Sequence, residues 1–211
     1  GLLNRPGGAS GPDGYTVPFA LKTDTVTNVE LGWKVNLLDN TMRFNGSWFE
    51  VDIDDLQTTI FDPSIVNLFF SDNAANAEIS GLEGDILWNA TDRLALSGAF
   101  SFLKTEITDV LTPTSDVRQG DQLAFAPSFQ GNLKARYGWT SNSGLEMHVM
   151  PYLTHSGRSQ SDVIIINRVR LESWTMLGLT AGVGRDNWSA EVFADNLTNE
   201  KAQLAGTFVY D

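Results

Sequence analysis

Four tight polar turns alternate with long connections along this chain, and that alternation constrains its architecture more than any other feature. The turns are Leu38–Thr41, Asn89–Asp92, Thr140–Gly144 and Asp186–Asn187. The long connections are Phe61–Ala74, Val110–Gln122 and Gly157–Arg170, with a long tail after Leu197. A chain that zigzags up and down places every short turn at one end and every long loop at the other. A soluble β-sandwich has no reason to sort its loops this way, whereas a transmembrane β-barrel has short turns on one side of the membrane and long loops on the other.

The segments between the turns alternate with period two. From Phe125 the odd positions read Phe125, Pro127, Phe129, Gly131, Leu133, Ala135, Tyr137 and Trp139, against Ser128, Gln130, Asn132, Lys134 and Arg136. Successive strand side chains point to opposite faces, so one face here is apolar and the other polar. Val29, Leu31, Trp33, Val35 and Leu37 repeat the pattern against Asn28, Glu30, Lys34 and Asn36. Leu94, Leu96, Gly98, Phe100 and Phe102 do so against Arg93, Ser97 and Ser101, while Phe193 breaks it on the polar face of the last segment. The Phe125–Trp139 run extends about 50 Å if fully stranded, enough to cross an apolar band of about 25 Å at a tilt near 40°. Trp33, Trp88, Tyr137, Trp139, Trp174 and Trp188 gather near segment ends, where an interfacial girdle places amphipathic rings.

Candidate strands are 24–37, 42–60, 75–88, 93–109, 124–139, 145–156, 171–185 and 188–196, after a Gly/Pro-rich stretch over 1–23. The second changes phase between Phe44 and Phe49, which predicts either a bulge near Ser47–Trp48 or an exit from the membrane there. No segment has a helical period, and no domain boundary is visible. The reading is one all-β domain over 1–211, a transmembrane antiparallel up-and-down barrel wall. A secreted β-sandwich that binds glycans as an adhesin, and a small closed eight-stranded barrel of structural role, are the alternatives.

The formal charge of −12, from 14 basic and 26 acidic residues, excludes a nucleic-acid partner. In a barrel those carboxylates line the lumen and loops. Zero cysteines exclude disulfides, thiol catalysis and thiolate metal sites. Gly1-Leu2-Leu3-Asn4-Arg5 is not a signal peptide, so the chain is expected to be a mature product or a piece of a longer precursor.

Four stretches resemble one family, the TonB-dependent outer-membrane receptors. Thr25-Val26-Thr27-Asn28-Val29-Glu30-Leu31-Gly32-Trp33-Lys34 is similar to its ET-x-N-x-E-x-G-x-K strand, and Trp48-Phe49-Glu50-Val51-Asp52-Ile53-Asp54-Asp55-Leu56-Gln57 to its F-x-x-D-x-x-D-x-Q strand. Asn76-Ala77-Glu78-Ile79-Ser80-Gly81-Leu82-Glu83 is similar to N-A-x-x-x-G-x-E, and Val192-Phe193-Ala194-Asp195-Asn196-Leu197-Thr198-Asn199 to V-x-N-L-T-N near the end of the family's barrel. The resemblance implies about eight of the last strands of a barrel of roughly 22. It implies location in the outer membrane of a Gram-negative bacterium, in contact with lipid and lipopolysaccharide. It further implies a receptor for a scarce nutrient such as a ferric siderophore, whose import is driven by the TonB complex through a plug domain. Neither plug, TonB box nor terminal aromatic strand is present in these residues.

No G-x-S-x-G elbow, P-loop or H-E-x-x-H motif occurs, so no catalytic residue, metal ligand or cofactor is expected and the chain does not read as an enzyme. His148 and His155 are seven apart, face opposite ways and read as structural. Glu50, Asp52 and Asp54 share a face and read as a solvated acidic surface ahead of a hard-cation site. The Asn-x-Ser/Thr matches at Asn45, Asn89, Asn187 and Asn196 fall in strands and turns and read as chance. Recognition is expected in the long loops, with candidate ligand contacts at Phe69, Phe70, Arg118, Arg158, Arg168 and Arg170. The bland alternatives are packing of the aromatics against other loops and solvation of the arginines beside Asp162 and Glu172.

Overall fold

A computed structural model describes Asn4 and residues 6–207. The strands are β1 (Thr25–Leu37), β2 (Met42–Ile60), β3 (Phe70–Asn89), β4 (Leu94–Val110), β5 (Phe129–Thr140), β6 (Glu146–Ser156), β7 (Ser159–Gln160), β8 (Arg170–Leu171), β9 (Trp174–Arg185) and β10 (Trp188–Ala194). Eight of them form one antiparallel sheet in the order β1-β2-β3-β4-β5-β6-β9-β10, while β7 and β8 make a short ribbon. Every main-sheet neighbour follows its partner along the chain, apart from the loop ribbon inserted between β6 and β9. The topology is therefore up-and-down. It is neither a two-sheet sandwich nor, within these residues, a closed small barrel: β1 and β10 remain separate edges.

The turns close by local chemistry. In Leu38–Asn40 three successive residues take positive φ, and Thr41 N–H donates to the Leu38 carbonyl at 3.1 Å. Gly144 (φ 78) and Asp186 (φ 50) serve the later hairpins, at positions where small or polar residues tolerate the left-handed region.

Register fixes the faces, since directly opposed residues share one. Leu31, Trp48, Leu82, Phe102 and Phe129 form one continuous row, and Val35, Phe44, Ile86, Gly98, Leu133, Leu153 and Leu177 another. The opposite face carries Lys34, Asn45, Asp85, Ala99, Asn132 and Thr154 in one row and Ser97, Lys134 and Tyr152 in the next. The expected sorting of Leu31, Trp33, Leu96, Phe100, Phe129 and Leu133 away from Lys34, Ser97, Gln130 and Lys134 is what the register produces.

Three expectations change. The fifth strand begins at Phe129, four residues past Phe125, because Phe125 sits at φ 54 and Pro127 has no N–H to give a ladder. Length comes instead from β2, β3 and β4, of 19, 20 and 17 residues. The second strand pairs without interruption through Ser47–Trp48, and its irregularity lies between Ile53 and Gln57, where Asp55 takes φ 57 and Asn76 accepts its N–H at 3.0 Å. Phe49, Val51 and Ile53 thus turn to the polar face, and the apolar face ends beyond Trp48. The phase change is therefore a change in the polarity of the two faces and not an early bulge. Trp174 also departs from the girdle: it lies opposite Ser156, on the polar face.

Beyond Trp48 the formerly apolar face becomes acidic. Asp52 stands opposite Glu78, and Glu78 opposite Glu106. Like charges so placed repel. Lys104 reaches Glu106 at 2.8 Å, and among the described residues no cluster of acidic side chains has metal-binding geometry.

Two glycines of β9 permit contacts that skip a strand. A Cβ on Gly178 would lie 2.1 Å from the Tyr152 ring, and one on Gly182 would lie 2.2 Å from the His148 ring. With those positions bare, the β6 side chains cross β9 to carboxylates at the far edge. Tyr152 donates its hydroxyl hydrogen to Asp195, and His148 Nε2 lies 3.2 Å from Glu191.

The two open edges carry a stability consequence. Unpaired N–H and C=O groups cost several kcal/mol each in hydrocarbon. Expressed alone and refolded into detergent, the 211-residue chain is expected to aggregate through β1 and β10. A monodisperse, heat-modifiable monomer with a β1-to-β10 cross-link is the result that would show closure.

Candidate functional site

The long connections share an end of the sheet and a hydrophobic core of their own. Val17, Ile60, Ile65, Phe70, Ala74, Ile107, Val117, Val163 and Ile164 bury one another, although the sequence scatters them over the chain. Asn4 and segment 6–23 are tied to three consecutive residues of β3. Ser71 exchanges hydrogen bonds with the Asn4 side chain, Asp72 accepts from Tyr15 Oη at 2.5 Å, and Asn73 bonds Lys22 N–H and C=O at 2.8 and 3.0 Å. Burial, the hydrogen bond to Asp72 and its charge push the Tyr15 phenol far above its usual range, so it stays protonated and donates to Asp72.

Carboxylates hold the loops from inside. Burial alone would raise the Asp62 carboxyl, but hydrogen bonds from Ser64 and Thr114 outweigh it and hold the group below the usual carboxylate range. Asp116 accepts the Ile166 N–H at 2.8 Å through its side chain and the Ile165 N–H at 2.8 Å through its carbonyl, which joins the second long loop to the third. The result is a packed cap.

The six candidate contacts fare differently within it. Phe70 begins β3 and is 2% exposed, inside the cap core. Phe69 is exposed at the tip and stacks on Phe61 with ring centroids 4.9 Å apart. Arg118 is exposed and has no ion pair among the described residues. Arg158, Arg168 and Arg170 do converge, lining a 360 Å³ pocket with Gln122, Ser159 and Gln160. Arg168 is its half-buried wall: it pairs with Asp121 at 2.8 Å, donates to the Val163 carbonyl and leaves its buried Nε without a hydrogen-bond partner. Its acid is Asp121 and not Asp162, whose carboxylate accepts the Ile164 N–H at 3.1 Å. Arg158 and Arg170 are solvated and share Glu172, Nε to carboxylate oxygen, at 3.1 and 3.0 Å. Two guanidiniums held side by side with their terminal nitrogens in water suit a planar anion.

A second, smaller pocket of 130 Å³ lies across the β7–β8 ribbon, bordered by Phe125, Pro127, Leu171, Trp174 and Leu204. Neither Phe125 nor Trp174 was expected in a site. The parity of Trp174 could have shown it, since it matches Met176, Gly178 and Thr180 rather than Leu177 and Leu179. Phe125 gives no such signal. Its left-handed backbone, which for a bulky residue costs on the order of 1–3 kcal/mol, is held by a hydrogen bond from its N–H to the Gln160 carbonyl at 2.7 Å.

The two histidines take opposite faces as their spacing requires. His148 pairs with Glu191 on the polar face, and His155 contacts Thr175 Oγ1 at 2.7 Å on the apolar one.

Comparison with solved structures recovers the same architecture. The ferric yersiniabactin uptake receptor FyuA from Yersinia pestis superposes with a TM-score of 0.70 at 15% identity, over 89% of this chain and 27% of its own. The ferric-catecholate import receptor Fiu from E. coli K12 gives 0.68 at 14% identity, over 97% of this chain and 27% of its own. BauA, the ferric preacinetobactin receptor from Acinetobacter baumannii, gives 0.64 at 19% identity, over 96% and 30%. The chain therefore spans somewhat over a quarter of the length of these receptors. At such identities the likeness establishes the fold alone. Comparison with curated proteins finds no significant match. The family model described as TonB dependent receptor-like, beta-barrel, matches residues 3–197. Barrels of that family are outer-membrane proteins of Gram-negative bacteria and are receptors, not enzymes. With its open up-and-down sheet, its sorted loops and a family match over nearly its whole length, the chain belongs to the TonB-dependent receptor β-barrel family.

Proposed function

We propose that this chain is part of the barrel wall of an outer-membrane active-transport receptor for a ferric siderophore. Import is driven by the TonB complex acting through a plug domain elsewhere in the protein. The apolar face meets lipid and lipopolysaccharide, and the capped end faces outward. The observation that carries the reading is the paired arginines, Arg158 and Arg170, presented at the loop end of a wall whose sheet superposes on siderophore receptors. Ferric chelates are commonly anionic, and two guanidiniums offer such a ligand charge and directed N–H groups together. Phe69 and Arg118, exposed on the same cap, are further contacts, whereas Arg168 positions the pocket wall.

The test is uptake of ⁵⁵Fe-siderophore by iron-starved cells carrying the full-length receptor as their sole route. Replacing both Arg158 and Arg170 by Gln is expected to weaken binding by at least about tenfold, roughly the loss of one charged hydrogen bond. Deleting TonB is expected to abolish uptake while surface binding persists. Uptake that survives without TonB would sink the proposal.

A further inference from the structure

One row of the polar face runs through four strands near the short-turn end. Register sets Gly138 of β5, His148 of β6, Gly182 of β9 and Glu191 of β10 side by side. Each glycine of the row lies under a neighbour's side chain. A Cβ on Gly182 would meet the His148 ring, and one on Gly138 would lie 3.2 Å from Arg136 Nη1. A guanidinium therefore covers the position on one side of His148, while on the other the Glu191 carboxylate lies 3.2 Å from its Nε2. The His148 side chain is 20% exposed, so its neighbours hold it in place and water still reaches it.

We propose that His148 is a pH-sensitive clasp, which fastens β10 to β6 more tightly when its imidazole is protonated. The inference goes beyond the receptor reading and needs only the fold. Histidine is the side chain whose ordinary charge change falls between about pH 5 and 8. A neutral ring donates an ordinary hydrogen bond to Glu191, whereas an imidazolium donates a charge-assisted one, roughly twice as strong. The clasp is therefore tightest below the ordinary imidazole pKa of about 6.5 and loosens as the pH rises through that range. The charges around the ring do not all agree. Glu191 and Glu146, the latter two residues along β6 on the same face, favour the charged form, and Arg136 of β5 opposes it. From β9 the ring meets Gly182, flanked by Thr180 and Gly184, none of which ionises; Lys134, Tyr152 and Asp195 lie in rows beyond. Glu191 sets the sign because it is in direct contact with the ring. β10 is where such a clasp has most effect, since it is seven residues long and within these residues pairs through its backbone with β9 alone. The companion contact from Tyr152 to Asp195 joins the same two strands without a histidine, which gives an internal control.

Hydrogen–deuterium exchange on the purified full-length receptor in phospholipid vesicles tests this at about pH 5.5 and about pH 7.5. Protection of the amides in 188–194 is read at each pH relative to an unstructured peptide of the same sequence. Wild-type protection is expected to be about fivefold higher at the lower pH, the difference between a charge-assisted and a neutral hydrogen bond. His148→Gln keeps a donor but cannot gain a proton, and is expected to bring the ratio between the two pH values to about one. Glu191→Gln is expected to do nearly the same. Arg136→Gln is expected to move the change to higher pH, because the opposing charge is gone. Tyr152→Phe is expected to lower protection by the same factor at both pH values. Heat-modifiable mobility in each variant confirms that the barrel is intact. The Glu191 side chain is 57% exposed, so Glu191→Gln carries the test if His148→Gln does not fold. Equal wild-type protection at the two pH values, or greater protection at the higher one, overturns the proposal. So does a wild-type ratio retained in Glu191→Gln, or a ratio abolished by Tyr152→Phe.

Discussion

Arginine introduced at Leu133 is expected to destabilise the full-length barrel in lipid by about 2–4 kcal/mol, and arginine at the adjacent Asn132 by much less. Leu133 lies on the apolar face between Gly98 of β4 and Leu153 of β6, so a guanidinium there has only apolar cross-strand neighbours. Asn132 lies on the polar face between Ala99 and Thr154, where water can receive the charge. Denaturant unfolding in phospholipid vesicles measures both costs. Equal tolerance at the two positions would contradict the assignment of faces, and with it the placement of the whole sheet in the membrane.

Replacement of Asp121 by Ala is expected to loosen the cap by about 2–3 kcal/mol, somewhat under the 3–5 typical of fully buried pairs because both side chains retain some water contact. The variant strands the Arg168 guanidinium, whose remaining hydrogen bond goes to the Val163 carbonyl and whose Nε is already unpaired. Cleavage within residues 157–170 by limited proteolysis should accelerate roughly in proportion to the lost local stability. The double replacement Asp121→Leu with Arg168→Met should recover most of the protection, since an apolar pair of similar volume carries no charge to strand. An Asp121→Ala receptor as resistant as the wild type would show that the ion pair does not hold the loops together.

How far the molecule could be read from its residues depends on how local each determinant is. The faces of β1, β4 and β5 follow from period-two alternation, and the hairpins from short polar turns, so both were legible. The start of β5 was not, because apolar alternation continues through Phe125 and Pro127 although neither can join a ladder there. The loops were hardest. Phe70 looked like a loop tip beside Leu68 and Phe69, but β3 begins earlier than its alternation suggests and carries Phe70 into a core shared with Val17, Ile107 and Ile164. No window of sequence contains those partners together. The arginine cluster was visible as three nearby charges with Glu172 beside them, whereas Asp121, the acid of Arg168, required the fold.

The strand-skipping contacts over Gly178 and Gly182 make the β9–β10 hairpin resistant to sliding. A hairpin in a wide barrel can slip by two residues and keep its faces, since side-chain direction repeats with that period. Such a slip would move Glu191 and Asp195 by about 7 Å relative to β6 and detach both from His148 and Tyr152 at once. The bare glycines therefore act as slots and the two β6 side chains as pins, so that the alignment of β10 is set by a strand it does not touch through its backbone. When the wall assembles, β10 can reach its final position only in the one register where both pins engage.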